Sequence, residues 1–227
     1  MPPFSDPSWR HQLRDRLAER WVLKLAGISA VTTAVMLVYF WLLDHPLRAV
    51  TVMPRTPLDA LIPFTPWAVL PYASLWFYIG LAPALLHMRG EMRRYTVAAV
   101  GLGLVGFALF ALFPTAVPPV GIDWARWPLV AFLKSADASG NACPSLHVAY
   151  ATLTAIWLRG TLRVVGAPRW LRALNLVWAT AIVWSTLATR QHVVLDVVAG
   201  AVLGAAVALV VRHVPLAGRA QRAAATC

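Results

Sequence analysis

Ser185-Thr186-Leu187-Ala188-Thr189-Arg190-Gln191-His192-Val193-Val194-Leu195-Asp196 closes one long apolar run and opens the next, and it sets Arg190, His192 and Asp196 at the seam. A second seam, Cys143-Pro144-Ser145-Leu146-His147, opens another apolar run earlier in the chain. Ionisable groups within a turn or two of a bilayer span are costly, so both seams are candidates for function. The apolar runs on either side of these seams set the fold class.

The 227 residues are 59% hydrophobic and 13% charged, against about 25% charged for a soluble domain. Such a chain belongs in a bilayer. A span needs about 20 mostly apolar residues, and residues 21–43, 67–88, 95–113, 146–158, 171–187 and 192–211 fit, the fourth short but with room to extend to 162. The expectation is an all-α integral membrane six-helix bundle with outer-side loops forming the active site. Residues 1–227 read as one transmembrane domain, since no linker, repeat or low-complexity stretch divides them.

Charge orients the bundle. With the N-terminus in the cytoplasm, 15 of the 20 Lys and Arg and four of the nine acids fall inside, in residues 6–24, 89–94, 159–172 and 212–222. Arg48, Arg55, Arg126, Lys134 and Arg190 balance five aspartates outside, so the net charge of +11 sits on the inner side. That is the positive-inside asymmetry of a multi-pass protein of the cytoplasmic (inner) membrane, with the active site facing outward. It excludes a nucleic-acid face, leaving the bilayer and a membrane lipid as partners. Cys143 falls outside and Cys227 inside, so they cannot pair within one chain. The first apolar run begins at Trp21 behind a polar, Arg-rich stretch and is long enough to span, which predicts a retained anchor rather than a cleaved signal peptide.

The outer connections carry the unusual residues. Pro46, Pro54, Pro57, Pro63, Pro66 and Pro71 forbid a continuous helix over residues 44–71. In residues 124–134, two Trp, an Arg and a Lys flank apolar residues, which suits a short interfacial helix or a plain aromatic anchor.

Ser145 is a good N-cap, so Leu146 and His147 fall in the first turn of the fourth span, where unpaired N–H groups and the helix dipole favour an anion. His147 stands beside that anion site. His192 and Asp196 are four apart at the start of the sixth span and share a helix face. A carboxylate there can accept from one imidazole nitrogen and leave the other as nucleophile or base. Both histidines lie at outer helix ends and can converge, which makes a phosphoryl-transfer set. His11, His45, His87 and His213 read as interfacial, and Asn175 as a helix-packing hydrogen bonder.

These residues resemble the type 2 phosphatidic acid phosphatase superfamily, whose motifs are written K-x6-R-P, P-S-G-H and S-R-x5-H-x3-D. Pro144, Ser145 and His147 match the middle motif, and Ser185, His192 and Asp196 match the last at full spacing. The resemblance implies that His192 attacks phosphorus to give a phosphohistidine, that Asp196 orients it, and that His147 protonates the leaving oxygen. Leu146 stands in place of Gly, Thr186 in place of Arg, and Ala111 and Pro118 fall where the first motif has Lys and Arg. Arg190 is the nearest cation left to hold phosphate, Arg126 or Lys134 could reach in from the loop, and Lys134 reads rather as a headgroup contact. The run from Asp59 to Trp67 with Tyr72 after it, Leu146, and Arg190-Gln191-His192 resemble the inositolphosphotransferase-like branch. A phosphodiester carries one charge and needs fewer cations than a dianionic monoester.

The leading expectation is a membrane lipid phosphatase with catalytic His147, His192 and Asp196 and with Ser145, Leu146, Arg190 and Arg126 at the substrate. No metal or cofactor is implied, because an imidazole nucleophile needs none. A lipid headgroup phosphotransferase using the same triad is the alternative. A haem protein with His147 and His192 as axial ligands is another, although Asp196 fits it poorly. A transporter or lipid-binding protein that uses the three residues as a proton relay or headgroup site is the last.

Overall fold

The computed structural model describes residues 8–87, 89–137 and 140–213. Asp6, Arg219, Arg222 and Cys227, and the side chain of Asp137, lie outside the described residues. The chain is mostly helical: α1 Trp9–Ala18, α2 Trp21–Asp44, α3 Pro57–Leu61, α4 Val69–Ala73, α5 Leu75–Ala84, α6 Arg89–Leu112, α7 Pro128–Asp137, α8 Leu146–Val164, α9 Arg169–Ala188 and α10 Val194–His213. Among the described residues, four stretches are long and apolar enough to cross a membrane, namely α2, α6, α9 and residues Val194–Arg212 of α10.

The other two expected spans differ from that description for identifiable reasons. Residues 67–88 are not one helix, because a 3₁₀ turn at Pro66–Ala68 leads into α4, which stops at Ala73 before α5 begins. Pro71 and Pro83 each withhold an N–H, and the Ser74 hydroxyl donates back to Pro71 O at 2.7 Å. The Ala84 carbonyl at the end of α5 accepts from Lys24 Nζ at 2.9 Å, and the same ammonium reaches Arg16 O near the end of α1. One cation thus caps two helix C-termini. Residues 146–158 fall in the longer α8, which has spanning length but carries His147, Arg159, Arg163 and three threonines and is less apolar than the four.

α8 is the central element, packed against α5, α6, α9 and α10. Its contact with α10 is closest where Gly200 and Gly204 face it: a Cβ on either would lie 2.3 Å from a backbone oxygen, of Ser145 and Ala149 respectively. Small residues four apart are what lets two helix backbones approach this closely in a bilayer. Leu102, Phe110, Leu153 and Ile182 fill the interior around α8, while Leu37, Phe77, Leu104, Val177 and Val202 point outward. Within the core Asn175 does bridge helices, donating to Ala155 O at 3.1 Å and accepting from the Tyr78 hydroxyl at 2.8 Å.

A layer of connections covers the end of the bundle where α8 and α10 begin. As the prolines require, residues 44–71 are not one helix. They hold β1 (Thr51–Val52), which pairs in parallel with β2 (Thr115–Ala116) in the register Thr51 to Thr115 and Val52 to Ala116. Residues 124–137 form a 3₁₀ turn at Trp124–Arg126 followed by α7, which buries Val130 and exposes Leu129 and Phe132.

Candidate active site

Two helix starts build the site. Ser145 caps α8, its Oγ accepting from the Val148 N–H at 3.3 Å, and its own N–H donates to Asp196 O at 3.0 Å. The N-terminus of α8 is therefore tied to the first turn of α10 before any side chain is considered. His147 and His192 come together across this junction with ring centroids 5.8 Å apart and planes at 57°.

The approach to His192 is a tight turn. Arg190 adopts a left-handed φ of 60°, and the N–H groups of Gln191 and His192 both donate to Thr186 O, at 3.0 and 3.1 Å. Thr186, at the position where the resemblance led one to look for Arg, is fully buried. Asp196 is fully buried, with one carboxylate oxygen accepting from the Val193 N–H at 3.0 Å and lying 3.5 Å from His192 Nδ1. That separation is ion-pair reach without a formed hydrogen bond, and His192 Nε2 is buried with no hydrogen-bond partner among the described residues. The carboxylate thus sits behind one ring nitrogen and leaves the other uncommitted.

The turn is held from outside by α3. Arg190 does not point at the histidines; its guanidinium donates to Asp59 O at 3.1 Å and Ile62 O at 2.8 Å. Its carbonyl accepts from Lys134 Nζ, whose ammonium also lies over the Trp124 ring. The Asp59 carboxylate receives the Thr56 N–H and hydroxyl, each at 2.7 Å, and the Val194 N–H at 2.8 Å. Burial works against its charge, but those hydrogen bonds and the neighbouring Arg190 outweigh it and hold the carboxyl below the usual carboxylate range. Arg126 is exposed and paired with Asp123 at 3.2 Å. Of the residues expected at the substrate, Leu146 lines the chamber beside the histidines, Ser145 lies beneath it as the helix cap, and Arg190 and Arg126 stand away from it.

That chamber, about 250 Å³, is bounded by α2, α4, α5, α7 and α8. Val35, Met36, Phe40, Leu75 and Phe132 make its walls apolar, and the polar side chains reaching it include His147, His192, Tyr72 and Asn141. Among the described residues no Lys or Arg lines it. A second cavity of about 180 Å³ shares Val31, Thr32, Ile79 and Tyr150 with the first and continues between α2 and α6 towards Lys24. Cys143, just before the site, has its thiol pushed up to about 11 by burial and by the charge of Asp196.

Three contributors were not among the expected site residues, although Asp59 and Tyr72 belong to the stretch that resembles the inositolphosphotransferase-like branch. Tyr72 follows the run that resembles that branch but had no role assigned to it, and its hydroxyl is 2.8 Å from His147 Nε2. Asn141 has a left-handed φ of 47° and donates to Tyr39 O at 3.2 Å. Asp59 is far from either motif in sequence, and its local signals are a capping-box pattern with Thr56 and its place at the head of the run that resembles the branch.

No curated protein and no solved structure matches the chain. The PAP2 superfamily matches residues 103–219, a stretch that runs from within α6 to beyond α10 and takes in His147, His192 and Asp196. It covers more than half of the sequence, and members of this superfamily are phosphoric ester hydrolases or phosphotransferases. The chain belongs to the PAP2 superfamily.

Proposed function

We propose that this protein is a multi-pass enzyme of the cytoplasmic membrane that dephosphorylates a lipid phosphate through a phosphohistidine on His192, with its site facing outward. The observation that carries the reading is the convergence of His147 and His192 at 5.8 Å with the buried Asp196 carboxylate behind His192. His192 Nε2 is free to attack phosphorus, Asp196 stabilises the ring as charge develops on it, and His147 protonates the departing oxygen. Ser145 and Leu146 present the α8 N-terminus, whose first-turn N–H groups lack a carbonyl four residues back and suit a phosphate. Arg190 and Arg126 add positive field from outside the chamber. The apolar walls and the adjoining cavity suit an acyl chain, so the substrate enters as a lipid. The whole chain acts as one domain, in which α4 with α5, and α8, complete a six-span bundle with the four longer, more apolar stretches.

A second reading, headgroup transfer to a lipid alcohol in the manner of the inositolphosphotransferase-like branch, is favoured by one observation. A chamber without Lys or Arg among its described lining accommodates a singly charged phosphodiester at lower desolvation cost than a dianionic monoester. Haem ligation has less support, because His147 Nε2 is already engaged by the Tyr72 hydroxyl.

The test is to offer the purified protein radiolabelled lipid monoesters and diesters, with and without an alcohol acceptor and in the presence of chelator. Phosphate release together with acid-labile label on the wild type but not on His192→Ala supports hydrolysis; a new lipid in place of phosphate supports transfer. Absence of both products, or equal labelling of His192→Ala, overturns the phosphohistidine reading.

A further inference from the structure

Besides Tyr72, three tyrosines of the bundle end on oxygens. Tyr78 donates to Asn175 Oδ1 at 2.8 Å, Tyr150 to Ala99 O at 3.0 Å and Tyr95 to Ile79 O at 3.4 Å. Those partners accept a hydrogen bond and cannot exchange the proton, which is how a buried phenol is ordinarily satisfied. Tyr72 differs: its hydroxyl meets a titratable nitrogen, His147 Nε2, at 2.8 Å, with the two rings 4.8 Å apart and inclined at 33°.

The local structure holds Tyr72 firmly there. The Thr65 N–H donates to Ala188 O at 2.9 Å, and Trp67 packs on Trp184 at 5.3 Å, so the segment that leads into α4 is fastened to the end of α9. Tyr72 follows one turn later, 4% exposed, and borders the same chamber as His147 and His192. Tyr72 lies outside the stretch that matches the superfamily.

We propose that the Tyr72 hydroxyl is a catalytic residue that carries the proton between His147 Nε2 and the oxygen leaving phosphorus. This rests on the phosphohistidine reading above. In the first step His147 enters as imidazolium. A bond forms between His192 Nε2 and phosphorus, and the bond from phosphorus to the alkoxide oxygen breaks with its electron pair on oxygen. That oxygen takes the phenolic proton while the Tyr72 oxygen takes the Nε2 proton, leaving a neutral His147 and an intact phenol. In the second step an entering water or alcohol gives its proton to the Tyr72 oxygen, which returns one to His147 Nε2 as the phosphohistidine bond breaks.

The experiment compares first-turnover phosphoenzyme formation from two esters on one preparation of Tyr72→Phe. A lipid phosphate has an alkoxide leaving group that must be protonated, whereas p-nitrophenyl phosphate releases a phenolate that need not be. Tyr72→Phe is expected to slow the alkyl ester about 10²-fold, the scale of general acid catalysis, and to leave the nitrophenyl burst within about 3-fold. Equal losses on both esters would mean that Tyr72 only packs against His147, and no loss on either would mean that it does nothing; each overturns the proposal. Thermal unfolding in detergent confirms that the variant is folded, and Tyr78→Phe, which removes an equally buried phenol far from the histidines, should show no ester dependence. Absence of His192-dependent turnover in the wild type would remove the phosphohistidine reading itself, a result distinct from either Tyr72 outcome.

Discussion

Gly200→Ala is a one-methyl test of how the site is assembled. The added Cβ would lie 2.3 Å from Ser145 O, 3.2 Å from Ser145 C and 3.2 Å from Val148 Cβ, and two of these three atoms are backbone. The start of α10 must withdraw by about 1 Å before the contact becomes tolerable. Overpacking of this kind costs about 1–3 kcal/mol, and exchanging Gly for Ala in a helix returns roughly 1 kcal/mol. The net loss of stability is therefore small, about 0–2 kcal/mol. Activity responds more strongly, because Gly200 is one turn beyond Asp196 and the shift carries the carboxylate and His192 away from His147. A 1 Å misplacement of reacting groups costs on the order of 10²-fold in rate. The expected result is a turnover drop of about that size in a protein whose detergent melting temperature falls by only a few degrees. Gly204→Ala, with the same 2.3 Å contact to Ala149 O one turn deeper, should cost similar stability and less activity. Gly101→Ala, which meets nothing within 4 Å, should leave activity unchanged. Wild-type turnover in Gly200→Ala would refute the claim that the α8–α10 contact sets the spacing of the two histidines.

The remaining predictions concern the layer around the site. Arg190→Ala removes two charge-assisted hydrogen bonds to backbone carbonyls and should lower stability by about 2 kcal/mol, whereas Arg126→Ala, an exposed pair, should lie within about 1 kcal/mol of wild type; comparable melting temperatures for the two would count against the bracket formed by α3. The Asp59 carboxyl is depressed in the fold, so its stabilisation is complete above its unfolded value near pH ~4 and is lost as pH falls through the lower folded value. The melting-temperature gap between wild type and Asp59→Asn should therefore narrow as pH drops below about 4, and a constant gap would contradict it. With its thiol pushed up to about 11, Cys143 should alkylate with iodoacetamide at pH 7 about 10²-fold more slowly than an unperturbed thiol, read by peptide mass mapping; labelling at the ordinary rate would disprove the local electrostatics.

The sequence announced the bundle because apolar runs and charge asymmetry act residue by residue and need no tertiary information. Five of the six expected places hold a helix of at least 19 residues. At residues 67–88 two prolines inside an apolar run decide between a span and a broken helix, and hydrophobicity does not register that choice. His147, His192 and Asp196 were legible because spacing of four on a helix and a cap residue translate directly into geometry. The surroundings were not. Arg190 looks like a phosphate ligand from its place two residues before His192, but its left-handed backbone turns the side chain onto the carbonyls of residues 59 and 62, a pairing across most of the chain. Tyr72 was singled out by resemblance alone, and nothing in its apolar stretch of aromatics foretold a contact with His147.

His192 lies in the turn just before α10 and Asp196 in its first turn, so the last described helix brings both to the site. The residues up to α9 supply His147, the apolar walls and Tyr72, but not the nucleophile of the proposed function. The site is completed where the Gly200 and Gly204 face packs against α8 and the Ser145 N–H meets the Asp196 carbonyl. On the proposed function, a chain cut before α10 should hold lipid without opening its phosphoester bond.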